Sequence, residues 1–183
     1  MSGDQDYSPG FVRRATQLEW LLCDVDGVLT DGTIFMDGRG ESLKAFHVRD
    51  GLGIKMARAS GLKVGLLSAR NSPALERRSS QLGIDMLIPG QEDKAAAFNG
   101  FLTKQELNAA QVAYIGDDLN DLPVLARCGL SFAPADAAAE LHDVVRVVLD
   151  TRGGRGAVRE MIEHILRARG EWKRALSAFS LEG

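Results

Sequence analysis

From about residue 19 the chain alternates short apolar runs with longer stretches of helical periodicity, and nothing else in the sequence restricts its fold as much. The runs are EWLLCDV, KVGLLS, DMLIPG, QVAYIGDD and CGLSFA, with VVRVVLD as a shorter last one. Runs this short, rich in Val, Leu and Ile and apolar throughout, suit strands buried on both faces of a parallel sheet. Helices are predicted over residues 51–60, 73–82, 92–106, 120–127 and 155–169. Right-handed crossovers then give an α/β fold, a doubly wound, mainly parallel Rossmann-like sheet with helices on both faces. In such a sheet ligands bind beyond the carboxyl ends of the strands.

One segment departs from the alternation. TIFMDGRGESLKAFHV holds two extended runs around Asp37-Gly38-Arg39-Gly40 and is expected to form a β-hairpin flap, about residues 32–47, inserted after the first strand. A length of 183 residues suits a single domain, placed at 18–170, between a flexible N-terminal segment, 1–17, and a C-terminal tail, 171–183. Leu176, Phe179 and Leu181 have roughly helical spacing, and the tail either docks on a subunit or frays.

A formal charge of −3 and no Lys/Arg run longer than a pair exclude the basic field of a nucleic-acid binder. No run of 18 apolar residues exists to span a membrane. The start, MSGDQDYSPGFVRRATQ, has no apolar core of a secretion signal. The two cysteines, Cys23 and Cys128, sit in apolar stretches without CxxC spacing and read as buried thiols of a reducing compartment, so a cytoplasmic protein is expected.

The polar residues at the ends of the apolar runs carry the chemistry. Asp24 and Asp26 follow the first run, Ser68 the second, Lys94 opens a helix, and Asp117, Asp118 and Asp121 follow QVAYIG. In extended backbone, side chains at i and i+2 share a side, so Asp24 and Asp26 can converge on one ligand while Gly27 allows the turn beyond. Carboxylates this close repel unless a proton or a cation compensates. An all-oxygen donor set suits Mg2+, whereas three scattered histidines and two distant cysteines offer nothing suited to zinc. With Ser68 as a hydroxyl donor and Lys94 as a point charge, such a site can hold a phosphoryl group. One carboxylate can attack phosphorus, and a second carboxyl can protonate the leaving oxygen and then activate water.

DVDGVLTDG at 24–32, Ser68 in GLLSAR, Lys94, and GDDLND at 116–121 resemble, in that order, the four motifs of the haloacid dehalogenase superfamily of phosphohydrolases. The resemblance implies Asp24 as nucleophile, Asp26 as acid/base, and Mg2+ held by the Asp24 carboxylate, the Asp26 backbone carbonyl and Asp117, with Asp118 and Asp121 supporting the metal's water shell. Neither usual insertion point has room for a cap domain, which is similar to the capless type. LKAFHVRDGLGIKM, Arg70, Arg78 and GGRGAVREM extend the resemblance, over about residues 18–170, to the family of 3-deoxy-D-manno-octulosonate 8-phosphate phosphatases of lipopolysaccharide biosynthesis. That family implies a homotetramer whose neighbouring subunits restrict the site. It also implies substrate contacts at His47, Val48, Arg49, Asp50, Gly51, Lys55, Arg70 and Arg78, besides Asp26 and Lys94.

Several readings stay open at this level. Asp50 is either the N-cap of the helix at 51–60 or a substrate contact, or both. His47 either bonds a sugar hydroxyl or packs the hairpin. Asp118 or Asn120 can cap the helix that Pro123 begins. GGRG at 153–156 either caps the last helix or lies near a neighbour's active site. Asp31 and Asp37, each beside a glycine, are expected in turns. The competing functions are a phosphatase of a nine-carbon sugar-acid phosphate or other small phosphomonoester, and a phospho-receiver signalling domain. A receiver's phosphoacceptor stands alone and its lysine comes last, unlike the order here.

Overall fold

The computed structural model describes residues 7–38 and 40–177. The first apolar run forms β1 (Trp20–Cys23), and its residues show how the core is divided. Leu21 and Cys23 join one apolar cluster, Trp20 and Leu22 a second, as pleating requires of a strand covered on both faces. The other runs form β4 (Lys63–Leu67), β5 (Met86–Ile88), β6 (Val112–Ile115), β7 (Leu130–Ala133) and β8 (Val147–Val148). The six-stranded sheet has the order β5-β4-β1-β6-β7-β8 with every pairing parallel.

Strand order reverses between β1 and β6, the switch point at which such sheets open a crevice. Cys23 is in register with Leu66 of β4 and Ile115 of β6. Asp24, Ser68 and Asp117 therefore leave the same edge of the sheet within a residue or two of one another.

One apolar cluster takes side chains from α1 (Pro9–Gln17), α2 (Val48–Ala59), α3 (Pro73–Leu82) and α6 (Ala157–Ala168). The other takes them from α4 (Lys94–Gln105) and α5 (Leu122–Leu125). The helix over 73–82 has the predicted bounds, because Ser72 accepts from Leu75 N at 3.3 Å, Pro73 opens it, and Gly83 closes it in the left-handed region. The helix expected over 120–127 is instead a single 3-10 turn followed by α5.

The N-terminal segment differs from expectation. Of the stretch 1–17 read as flexible, Pro9–Gln17 is helical. Ser8 caps it, Ala15 is fully buried, Phe11 meets Phe132 edge-on at 6.4 Å, and Tyr7 Oη lies 3.0 Å from His164 Nδ1. Arg169 ties off its end by donating to the carbonyls of Ala15 and Leu18 at 3.0 and 3.1 Å. In the tail, α7 (Trp172–Ser177) is described, with Trp172 under the guanidinium of Arg167 at 4.6 Å. Phe179 and Leu181 lie outside the described residues.

The hairpin forms as β2 (Phe35–Asp37) and β3 (Gly40–Leu43), an antiparallel pair separate from the main sheet. Phe35, Met36 and Leu43 on it are exposed. Among the described residues only this hairpin and α2 stand between β1 and β4, and only α4 and a 3-10 turn between β5 and β6, so no described cap domain covers the carboxyl edge. No described helix is long and apolar enough to cross a membrane.

Candidate active site

The central carboxylate is Asp24, 6% exposed, whose backbone N–H donates to Ile115 O at 3.0 Å and so fixes it to β6. Lys94 reaches it from the first residue of α4, where Asp93 caps the helix by accepting from Ala96 N at 2.9 Å. Its Nζ lies 2.9 Å from Asp24 Oδ1 and 2.6 Å from Asp121 Oδ1, with the lysine side chain 1% exposed. An ammonium buried this deeply is tolerable only because two carboxylates hold it. Burial works to lower the Lys94 pKa, and the charges of Asp24 and Asp121 outweigh it and raise the pKa.

Asp121 braces the site and has little capacity left for anything else. Its Oδ1 accepts from Lys94 and from the Tyr114 hydroxyl at 2.5 Å, and its Oδ2 from the backbone N–H groups of Asp117 and Asp118 at 3.0 and 3.3 Å. Asp117 is the opposite case, since its Oδ1 is buried and has no hydrogen-bond partner. Carboxylate oxygens of Asp24, Asp117 and Asp121 lie within 4.8 Å of one another. Burial foremost, then the charge of Asp121, pushes Asp24 up to about 6; burial and then the charges of Asp24 and Asp121 push Asp117 up to about 8. A cluster of carboxylates this close, one of them with a buried oxygen left without a partner, fits a hard divalent cation such as Mg2+.

The turn beyond Asp24 is shaped to the same end. Gly27 has φ +89°, and a Cβ on it would lie 1.9 Å from Asp117 Oδ2, so only glycine lets the loop pass the carboxylate. GGRG at 153–156 packs on this chain's own loop. Gly154 N donates to Val28 O at 2.9 Å, and a Cβ on Gly153 would strike Gly27 O at 1.7 Å. Gly156 also stands as the N-cap of α6. Asp31 accepts from Thr33 N at 3.1 Å in the turn expected of it, and Arg155 approaches it at 3.5 Å on the surface.

Asp24, Asp26, Lys94, Asp117, Asp118 and Arg70 line one pocket of about 310 Å3, together with Gly32, Ile34, Ala69 and Asn120. Ser68 is buried behind its rim, its Oγ accepting from Arg70 N at 3.1 Å. Asp118 spends a side-chain oxygen on Leu119 N at 2.8 Å, the capping alternative.

The remaining residues expected at the substrate do not reach this pocket within one chain. His47 caps α2 through Nδ1, accepting from Arg49 N at 3.3 Å. Val48 is exposed, and Arg49 lines a separate groove with Arg155 and Arg159. Lys55 faces another depression, beside Arg58 and Asp85. Arg78 lies over the Phe46 ring at 5.7 Å and packs on Gly51. Asp50 lies inside α2, which His47 caps, so the capping alternative left open for it does not hold. It is buried and accepts from Arg159 N at 2.9 Å, so it closes the N-terminus of α6 instead, and burial pushes its pKa up.

Two residues absent from the sequence reading belong to the site. Tyr114, in the middle of β6, was legible as a buried phenol in an aliphatic strand, a group that needs a polar partner. Lys44, just beyond β3, pairs with Asp26 Oδ1 and lies 3.0 Å from Glu41 Oε1. Only the fold brings it back across the intervening residues to Asp26, and no local pattern announced it.

Residues 67–162 match the family model of haloacid dehalogenase-like hydrolases. The chain belongs to this family. It is 46% identical over 159 residues to the 3-deoxy-D-manno-octulosonate 8-phosphate phosphatase KdsC of Haemophilus influenzae, covering 87% of this chain and 88% of that protein. The cobalt-bound form of the deoxy-D-mannose-octulosonate 8-phosphate phosphatase from the same organism superposes with a TM-score of 0.83 at 47% identity, over 86% of this chain and 92% of that one. The Moraxella catarrhalis 3-deoxy-D-manno-octulosonate 8-phosphate phosphatase, in complex with a magnesium ion, a phosphate ion and KDO, superposes with a TM-score of 0.90 at 33% identity, over 95% and 100% of the two chains. Membership of a hydrolase family sets aside the phospho-receiver reading.

Proposed function

We propose that this hydrolase is a Mg2+-dependent phosphatase that releases phosphate from 3-deoxy-D-manno-octulosonate 8-phosphate, supplying the free sugar acid to lipopolysaccharide biosynthesis. The observation that carries the reading is the buried Lys94–Asp24 pair beside the orphaned Asp117 oxygen, opening into the pocket that Asp26 lines. The substrate class is supported by the relatives named above.

In this reading the Asp24 carboxylate attacks phosphorus as the bond from phosphorus to the sugar oxygen breaks, giving an aspartyl-phosphate. Asp26 delivers its proton to the departing oxygen, then takes one from the water that hydrolyses the intermediate. Lys94 orients Asp24 and, with Ser68, faces the phosphoryl oxygens. Asp24, Asp117 and the Asp26 backbone carbonyl would hold Mg2+, which when bound offsets the negative charge of the phosphoryl group and the carboxylates. Asp118 and Asp121 would support its water shell.

A second copy of the chain completes the site in this proposal. Ile34, Phe35, Met36, Leu43, Val48 and Leu52 expose an apolar surface on the hairpin and the start of α2, the kind of patch that a subunit interface covers. Arg49, Lys55 and Arg78, turned away from their own pocket, are then available to anionic groups at an interface, and a homotetramer is the assembly we propose. Cytoplasmic residence is supported by Cys23 and Cys128, both free and buried.

Phosphate release from the eight-carbon substrate, with Mg2+, with a chelator, and in Asp24→Asn, tests the core of the reading. Efficient release abolished by both treatments is expected. A higher kcat/KM for a nine-carbon sugar-acid phosphate would remove the substrate assignment, and a fully active monomer by light scattering would remove the tetramer.

A further inference from the structure

The hairpin is exposed along most of its length, yet one of its charged side chains is buried. The Lys44 side chain is 2% exposed, its Nζ against Asp26 Oδ1 and 3.0 Å from Glu41 Oε1, itself on β3. Neighbouring Leu43 is 64% exposed, so the burial of Lys44 is not a general property of the strand. An ammonium withdrawn from water this far requires both carboxylates, and the pair therefore ties the hairpin to Asp26.

Asp26 is held differently from the other acids of the site. Its carboxylate is held by the Lys44 ammonium, which donates to Oδ1. A carboxyl that must meet a leaving oxygen works only when its free oxygen points into the pocket, and proton transfer needs about 2.6–3.2 Å between heavy atoms. With Nζ on Oδ1, Oδ2 is the oxygen left for the pocket that Asp26 lines.

We propose that Lys44 is a positioning residue for proton transfer, setting the orientation of Asp26 and making it depend on the placement of the hairpin. The inference rests on the reading of Asp26 as the acid. The step it serves is balanced within the chemistry given above: the Asp26 proton goes to the ester oxygen, whose electron pair comes from the breaking bond to phosphorus, while Asp24 forms the new one.

The test exploits the fact that a good leaving group does not need that proton. We would measure kcat/KM, which reports on the steps through release of the alcohol, with phenyl phosphate and with p-nitrophenyl phosphate, in wild type, Lys44→Met, Lys44→Arg and Asp26→Asn. Expected for Lys44→Met is a loss of about tenfold or more on phenyl phosphate and less than about threefold on p-nitrophenyl phosphate. Lys44→Arg should restore most of the difference, and Asp26→Asn should show the same bias more strongly. Equal losses on both substrates in Lys44→Met, with the bias intact in Asp26→Asn, would reduce Lys44 to a structural tie and overturn the proposal. Absence of the bias in Asp26→Asn would instead remove the acid role of Asp26 and the proposal with it. Lys44→Gln carries the same comparison should the methionine variant fold poorly.

Discussion

Asp24 and Asp26 stand two residues apart and are held by opposite means. Asp24 is anchored by the core, through a strand hydrogen bond to Ile115 and a lysine buried at the start of α4. Asp26 is anchored by an exposed two-stranded hairpin through Lys44. The geometry of Asp24, the proposed nucleophile, is thus inherited from the packing that makes the sheet, and cannot be altered without cost to the fold. The geometry of Asp26, the proposed acid, depends on a peripheral element outside the main sheet. One dipeptide step separates the part of the site tied to stability from the part tied to how the site is closed.

The contrast breaks most visibly at Lys94. Lys94→Met leaves Asp24 and Asp121 buried without their cation, and we expect a stability loss of about 3–5 kcal/mol in urea denaturation, together with loss of turnover. A full-strength folded variant would mean that the acidic cluster is relieved some other way.

Metal and pH sharpen the same point. Asp24 and Asp117, pushed up to about 6 and about 8 from an ordinary value of 3.8, keep protons that the unfolded chain has already released. Metal-free stability should therefore fall as pH rises from about 4 to about 8, by about 3 kcal/mol from Asp24 alone. At the proposed site Mg2+ would take the place of those protons, so the rise in Tm on adding Mg2+ should be larger at pH 8 than at pH 5. A metal effect independent of pH would separate the metal from these carboxylates.

Tyr114→Phe removes one hydroxyl from Asp121 and should cost about 2 kcal/mol, read by thermal or urea unfolding. On the peripheral side, Arg155→Ala removes a solvent-exposed pair with Asp31 and should change stability by less than about 0.5 kcal/mol. An equal effect at both positions would erase the distinction between core and rim.

The sheet and most helices were legible because buried strands and capped helices leave periodic and local signals, as at Ser72, Pro73 and Gly83. Asp24, Lys94 and Asp117 were legible for the same reason, since parallel strands deliver their ends to one edge. The α1 helix carries a similar local signal in Ser8 and Pro9, but what seats it on the core are contacts with Phe132, His164 and Arg169, all more than a hundred residues away, which the sequence does not display. For Asp50 a cap of its own helix and a substrate contact both stayed open, because its partner, Arg159 N, is more than a hundred residues away and leaves no local signal. Lys44 escaped because a lysine in a hairpin looks like any solvated charge until the fold folds it inward.

The contact of Gly153 and Gly154 with the loop at Gly27, Val28 and Thr30 also sets an order of assembly. A nascent chain that has left the ribosome as far as residue 121 already carries every proposed nucleophile, acid, lysine and metal ligand. It lacks the segment that presses the Gly27 loop into place and the helix terminus that Asp50 closes. Domains fold as their chain emerges, and here the machinery for breaking phosphate esters is synthesised early but locked into shape late. A chain truncated before residue 153 would carry the chemistry without the brace that positions it.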